Sequence, residues 1–590
     1  MAVLGGSSRL LPVERILYGV KSVVRDSTSA RASAFDFGRA LLALPAVWAG
    51  ALVLLVAGPW LGSGYIFGTD WPGQRRFDFP IELSSSAPAQ AVLAAASRVI
   101  SSEWTGKLLV LGLLFVAALM AFRAAPSDAF VPRAVASAVY LFNPFVFGRL
   151  HYGQMFVLAG YALLPWVAIR VRHLFIKPNM TASLILAVSL ASVGLASVHM
   201  LLMAALLAAM LGVTHLLASR QRTDHLKRAG LSLLTAAGAT VVLSAYWLLP
   251  FALGRGSIAN VIAGTTTGAL EAYAAVPDQQ LGLVPNLLGL YGFWAENSDR
   301  FTSMKAFVPF WPVALTLILA VGAAGVIFGF RSRREQHASW IAGLLIAAAI
   351  ALVLEMGISH PWTAGLVIWL DSHIPLYRGM RDAGKWAALL ALVYSQLVAL
   401  GAIAILEWLK KRTNGRPSIE WVASAATGLL IAIPLYYGNG LLFGMHGEIK
   451  PSQYPAGWYS ADRMMSADSQ HGRALFLPWH EYMTYQFIQN QNKLVASPAP
   501  TFFSVPVLVS SNPEVSGIPA PTDPDQVAIV NLLRSGSQGH WAPELKALDV
   551  RYVLLVREVD WESYRYLDGL SGLTKVADFG SIVVYRSDSR

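Results

Sequence analysis

The chain has 590 residues, of which 55% are hydrophobic and only 13% charged, and its mean hydropathy is +0.51. Soluble domains carry about 25% charged residues, so the composition excludes an ordinary soluble enzyme and points to a membrane protein. The net charge of +11 would suggest nucleic acid in a soluble chain, but here the basic residues sit in short loops between apolar runs, where they set topology. Cysteine is absent, which excludes disulfides, thiolate metal sites and thiol nucleophiles.

Residues 1–38 are polar and basic, unlike a signal peptide, and are read as a cytoplasmic N-terminal segment. Apolar runs follow at 40–61, 107–122, 134–149, 154–169, 181–198, 200–218, 230–253, 307–330, 338–356, 385–406 and 419–443. A span needs ~20 apolar residues to cross ~30 Å of hydrocarbon. The runs therefore predict an α-helical polytopic membrane domain over 39–443 with about eleven transmembrane helices.

Every second loop is basic. Arg123 and Arg133, then Arg170, Arg172 and Lys177, then Arg220, Arg222, Lys227 and Arg228, then Arg331, Arg333 and Arg334, and finally Lys410, Lys411, Arg412 and Arg416 share the side of the N-terminal cations. Cytoplasmic loops carry the excess of Lys and Arg. Loops 62–106 and 254–306, segment 357–384 and the tail from 444 are then placed outside.

In the first long loop, Val92, Leu93, Ala96 and Val99 recur at helical spacing, and an amphipathic helix along the membrane surface is expected from Pro88 to Ile100. In the second, the aromatic stretch from Leu287 to Trp294 is expected to dip into the interface as a re-entrant element. The tail, 444–590, has strand-like runs at 474–478, 550–556 and 581–585 and helical pieces at 524–534 and 558–570. It reads as a small extracytoplasmic α/β or α+β domain.

Three stretches carry chemistry. Just beyond the first span lies Thr69-Asp70-Trp71-Pro72, with Asp78 and Glu82 behind it. A carboxylate at the water–lipid boundary among aromatic rings suits a general base, so Asp70 is the leading catalytic candidate and Asp78 the second. The segment Ile374-Pro-Leu-Tyr-Arg378-Gly-Met-Arg381-Asp382-Ala-Gly-Lys385-Trp386 puts three cations on the outer side, against the charge pattern. Arg378, Arg381 and Lys385 are spaced as one helical face, at the outward N-terminus of a span. That arrangement makes an anion site for a lipid phosphate. Asp382 is read as orienting Arg381, the alternative being a second catalytic acid. The outer turn Asn143-Pro-Phe-Val-Phe-Gly-Arg149-Leu-His151-Tyr152-Gly-Gln154 offers His151, Tyr152 and Gln154 to a sugar. His199 at another outer turn, and a weaker cluster of Trp294, Glu296 and Asp299, are candidates to join it. Glu355, a carboxylate inside a span, is functional by default, with Arg378 or His360 as expected partners.

No P-loop, dinucleotide-binding glycine pattern, HExxH or Gly-x-Ser-x-Gly occurs. Nothing has metal-ligand spacing, so no metal residue is assigned, although the acids leave a divalent cation open. Nucleic acid is not an expected partner.

Three segments, Tyr140-Leu-Phe-Asn-Pro-Phe-Val-Phe-Gly148 with Leu163-Leu-Pro-Trp166, Met380-Arg-Asp-Ala-Gly-Lys-Trp386, and Leu545-Lys-Ala-Leu-Asp-Val-Arg-Tyr-Val-Leu-Leu555, together with the architecture, resemble the C-type (GT-C) integral membrane glycosyltransferases. Within them the chain looks most like the cell-wall arabinofuranosyltransferases and the membrane proteins that glycosylate teichoic acids. The adjacent acidic pair of protein mannosyltransferases is absent, and the chain is much shorter than the large arabinofuranosyltransferases. The resemblance implies a multi-pass protein of a prokaryotic plasma membrane with an outward active site, a polyprenyl-phosphate sugar as donor, and a cell-envelope glycan, lipid or protein as acceptor. It also implies Asp70 as base and Arg378, Arg381 and Lys385 on the departing phosphate. A flippase of lipid-linked sugars, a surface-polysaccharide polymerase or ligase, and a non-catalytic scaffold are the competing readings.

Overall fold

The computed structural model describes residues 45–588 apart from 219–222, 266–267, 299, 332–334, 414–419, 471 and 517. The expected cytoplasmic segment 1–38, Asp299, and the loop cations Arg220, Arg222, Arg333, Arg334 and Arg416 lie outside the described residues.

Each of the eleven apolar runs falls on helix. Among the described residues, seven helices are long and apolar enough to cross a membrane, or up to nine if each of two bent pairs is one span. The remaining two runs form shorter apolar helices, Pro45–Leu61 and Met180–Ala196. The chain is a multi-pass helical membrane protein. Its helices pack through small residues, as spans must when lipid supplies no hydrophobic drive between them. The helices Trp311–Arg331 and Ala387–Thr413 lie so close that a Cβ on Gly325 would run into Leu397 O, and one on Gly401 into Val321 O.

One bend matters for the site. Phe130–Leu141 and Pro144–His151 meet at 42°. Pro144 cannot donate to the preceding turn, and the Asn143 side chain takes over, accepting from Val146 N at 3.0 Å and donating to Tyr140 O at 2.7 Å. The short second helix, ending in Arg149 and His151, is thereby turned across the end of the bundle.

In chain order the strands are β1 (Phe67–Gly68), β2 (Trp71–Pro72), β3 (Arg473–Leu477), β4 (Tyr482–Thr484), β5 (Leu494–Ala496), β6 (Val507–Leu508), β7 (Val550–Val556), β8 (Leu573–Asp578) and β9 (Ile582–Ser587). Five of them form the sheet of the C-terminal region, in the order β6-β3-β7-β9-β8. β6, β3 and β7 are parallel, and β9 and β8 antiparallel. Side chains alternate across a strand, and β7 is buried on both faces. Tyr552, Leu554 and Val556 join a core with Trp458, Phe502 and Phe503, while Val553 and Leu555 join another with Ile529, Leu532 and Trp541. The strands expected at 474–478, 550–556 and 581–585 are all present, as are helix Pro524–Ser535 and a 3-10 helix over Trp561–Gly569.

Two loop expectations change. The first long loop does contain a helix, Ala87–Ala96, with Val92 and Val99 exposed, but its beginning belongs to the C-terminal core. Phe67 is fully buried beside Tyr454 and Phe487, and Arg75 pairs with Asp462 at 2.6 Å. The Leu287–Trp294 stretch is packed inside the protein. Leu287, Leu290, Tyr291 and Phe293 are buried, and Tyr394 and Tyr437 donate to Leu288 O and Gly289 O at 2.9 and 2.7 Å. The unwound backbone therefore finds its partners in protein, not at the lipid interface.

Candidate active site

Asp70 sits at the tip of a two-residue hairpin between β1 (Phe67–Gly68) and β2 (Trp71–Pro72). Two contacts clamp the tip. Asp70 N donates to Tyr152 O at 2.7 Å, and Ala496 N donates to Thr69 O at 2.8 Å. The clamp needs glycines. A Cβ on Gly68 would stand 2.8 Å from Gly153 Cα, and Gly153 itself has φ +80 with its Cβ position 2.6 Å from Trp71 Cβ.

The Asp70 carboxylate accepts from two donors far apart in the chain. Tyr482 OH, on β4 (Tyr482–Thr484) of the C-terminal region, is 3.0 Å from Oδ1, and Gln154 Nε2 is 3.3 Å from Oδ2. Gln154 is in turn oriented by Arg149, whose Nη1 donates to Gln154 Oε1 at 2.8 Å. Arg149 and Asp382 form a buried two-pronged ion pair, Nη1–Oδ2 2.5 Å and Nη2–Oδ1 3.2 Å. The guanidinium also lies 4.5 Å over the Phe293 ring. Asp70, Gln154, Arg149 and Asp382 thus make one continuous network.

Asp70, Tyr152, Gln154, Trp294, Arg381, Asp382 and Lys385 line a single cavity of ≈620 Å³ including its open mouth. Five segments meet there: the first long loop, the turn carrying Tyr152 and Gln154, the second long loop, the 357–384 segment with the adjoining Lys385, and the C-terminal region. Tyr152, Tyr273 and Trp294 form an aromatic wall, with ring centres 5.2 Å apart for Tyr152–Trp294 and 4.8 Å for Tyr273–Trp294. Arg381 stacks over Tyr273 at 4.7 Å. Arg381, Lys385 and Arg300 face the cavity and make no ion pair among the described residues. Asp382 is committed to Arg149, which leaves Asp70 as the acid facing these three cations in the cavity lining.

The electrostatics separate the carboxylates. Asp70 is open to the cavity water, yet protein crowds its other sides. That burial raises its carboxyl above the ordinary range, against the pull of Tyr482, Gln154, Lys385 and Arg149. Burial would raise Asp382 too, but Arg149 and Lys385 hold it below the usual value. Burial, with Asp70 and Glu514 nearby, pushes Glu481 up to about 7.

Several expected residues stand elsewhere. Asp78 is exposed and pairs with Arg76 at 2.9 Å, outside the cavity lining. His151 turns away to Glu448, 3.2 Å from its Nε2, and both are buried. Arg378 turns to Asp371, donating to its backbone oxygen at 3.3 Å. The single helical face expected for Arg378, Arg381 and Lys385 is interrupted. Pro375–Arg378 is one helical turn, Gly379–Asp382 is not helical, and 3-10 helix resumes at Ala383. Arg381 and Lys385 still converge because His199 Nε2 holds the interrupting turn through Gly379 O at 2.9 Å. Lys385 Nζ is 3.3 Å from the same nitrogen, so His199 supports the cations from behind and does not line the cavity. Asp382 orients Arg149, not Arg381. Glu296 faces Lys305, 3.8 Å away. Glu355 is fully buried, and among the described residues neither carboxyl oxygen meets Arg378, His360 or another hydrogen-bond partner.

Sequence reasoning missed Arg149, Tyr482, Tyr273 and Arg300. Arg149 carried a signal, a charge inside an apolar run. Tyr482 carried none, since it reaches Asp70 across 412 positions.

No family profile and no curated protein matches the chain. Among solved structures, the single-particle cryo-EM structure of arabinofuranosyltransferase AftD from Mycobacteria superposes with a TM-score of 0.59 at 16% identity, covering 92% of this chain and 40% of that one. The chain shares that fold. A mutant of the same enzyme, in two classes, gives TM-scores of 0.58 and 0.55 at 17% and 16% identity, covering 92% of this chain and 41% of each. The chain spans about two fifths of the length of these structures. The likeness to an arabinofuranosyltransferase read from short motifs holds at the level of the fold.

Proposed function

We propose that the chain is a membrane glycosyltransferase that moves a sugar from a polyprenyl-phosphate donor to a hydroxyl of a cell-envelope glycan, lipid or protein, on the outer face of a prokaryotic plasma membrane. One observation carries the reading: the Asp70 carboxylate, Arg381 and Lys385 line one cavity. The shared fold supports it, and arabinofuranose, the sugar in the neighbour's name, is the first donor to try.

Asp70 accepts the proton of the acceptor hydroxyl as its oxygen attacks the anomeric carbon. The bond from that carbon to the phosphate oxygen breaks, and the polyprenyl phosphate leaves with the electron pair. Its growing charge is met by Arg381 and Lys385, with Arg300 across the cavity. Tyr482 and Gln154 aim the carboxylate, and a general base so placed contributes ~10²–10⁴-fold. Tyr152, Tyr273 and Trp294 offer ring faces to the sugar. A single displacement inverts the anomeric centre, and phosphate as leaving group makes ATP unnecessary. Among the described residues no three His, Asp or Glu side chains are grouped to hold a metal ion.

The test is a reconstitution. Full-length protein in lipid nanodiscs receives a panel of polyprenyl-phosphate sugars, arabinofuranose first, with an envelope glycan acceptor, and new glycosidic bonds are scored by mass spectrometry. The expected result is transfer from at least one donor. Transbilayer movement of the donor in vesicles without any new bond would assign the chain to the flippases instead.

A further inference from the structure

The helix Met155–Ile176 begins beside Gln154 in the active-site cavity and has 22 residues. At ~1.5 Å per residue it is about 33 Å long, close to the ~30 Å of a bilayer's hydrocarbon. Its far end therefore reaches the opposite membrane surface, and a second, chemically distinct cavity opens there.

This cavity encloses ≈870 Å³ including its mouth and is lined by Arg170, His173 and Lys177 above an aliphatic floor of Ile176, Ala182 and Ile185. A second chamber on the other flank of Ile176 contains Arg172. Neither chamber is lined by a carboxylate. Arg170, Arg172 and Lys177 form no ion pair among the described residues, and the Nε of Arg170 is buried with no hydrogen-bond partner. On the two helices that supply the lining, Ile176, Met180, Leu184 and Val188 are exposed. These side chains belong to apolar membrane helices, so their exposure is to lipid. The site pairs uncompensated cations with an acyl-compatible floor.

We propose that this cavity is a binding site for one anionic phospholipid of the leaflet opposite the active site, its phosphate held by Arg170 and Lys177 and an acyl chain lying along Ile176 and Ile185. Loop cations in general attract anionic headgroups weakly. Here two cations set beside an aliphatic floor in one cavity make a defined seat. A free anion would gain nothing from the floor, and a zwitterionic lipid would bring its own ammonium against the cations.

The experiment is native mass spectrometry of the full chain, purified in a neutral detergent and offered equimolar phosphatidylglycerol and phosphatidylcholine. Wild type is expected to retain phosphatidylglycerol at least about ten-fold over phosphatidylcholine. R170Q/K177Q should lose most of that preference, R170K/K177R should keep it, and R412Q, which removes an exposed cation from the end of another helix, should leave it unchanged. Soluble glycerol phosphate should not displace the lipid. Equal retention of the two lipids, full retention by R170Q/K177Q, equal loss in R412Q, or displacement by glycerol phosphate would each overturn the proposal. Should R170Q/K177Q not fold, retention by wild type that does not fall as salt is raised would do the same, because the contact must be electrostatic.

Discussion

The most revealing perturbation is Asp382→Asn. The Asp382 and Arg149 side chains are 6% and 2% exposed, and two short contacts join them. Removing one partner of a buried pair costs about 3–5 kcal/mol, because the other charge is left without compensation. The Asn carbonyl keeps one neutral-acceptor bond worth about 1 kcal/mol, so the expected loss is roughly 2–4 kcal/mol. Lys385 sharpens the effect, since the Asp382 charge also faces it. The released Arg149 no longer fixes Gln154, 2.8 Å away, and with it one of the two donors to Asp70. Thermal unfolding followed by tryptophan fluorescence should show a clear fall in Tm, and sugar transfer should drop at least ten-fold. The double variant R149M/D382L removes both charges of the pair. It should recover much of the Tm while transfer stays low. A Tm and a transfer rate for D382N both close to wild type would refute this account of the network. So would a double variant less stable than D382N.

Further outcomes follow from the same geometry. Burial raises the Asp70 carboxyl and the Tyr482 donor lowers it, so Y482F raises it further; a base works only above its pKa, and the acid limb of kcat/KM must move to higher pH in that variant, an unmoved or lowered limb contradicting the contact. Asp78 is exposed and pairs only with Arg76, so D78N should turn over within about two-fold of wild type; a loss of orders of magnitude would transfer the base role to it. Gly153→Ala puts a Cβ 2.6 Å from Trp71 Cβ at φ +80, a cost of about 2 kcal/mol or more, and should depress transfer more than expression, because the hairpin tip carrying Asp70 is what it lifts.

The helices were legible because apolar runs bounded by cations have few alternatives, and the strands of the tail because β7 reads Val-Arg-Tyr-Val-Leu-Leu-Val without interruption. The meeting of Asp70 with Arg381 and Lys385 was legible because the alternation of basic loops put both stretches on one face. Side-chain direction was not. Helical spacing grouped Arg378 with Arg381 and Lys385, but Gly379 ends the turn and hands its carbonyl to His199. His151 and Gln154 are three residues apart, yet one reaches Glu448 and the other Asp70, a divergence set by the left-handed Gly153 between them. Asp382 was matched to its neighbour Arg381, whereas its partner Arg149 lies 233 positions away. Local pattern carried the elements; the network was built by long-range contacts that leave no periodic trace.

Asp70→Asn tests the central claim most directly. In nanodiscs charged with a polyprenyl-phosphate sugar and acceptor, the variant should keep the wild-type Tm and donor binding, because the amide can still accept from Tyr482. It should lose glycosyl transfer by about 10²-fold or more, the contribution of a positioned base. Transfer by a folded D70N at a rate near wild type would contradict the account.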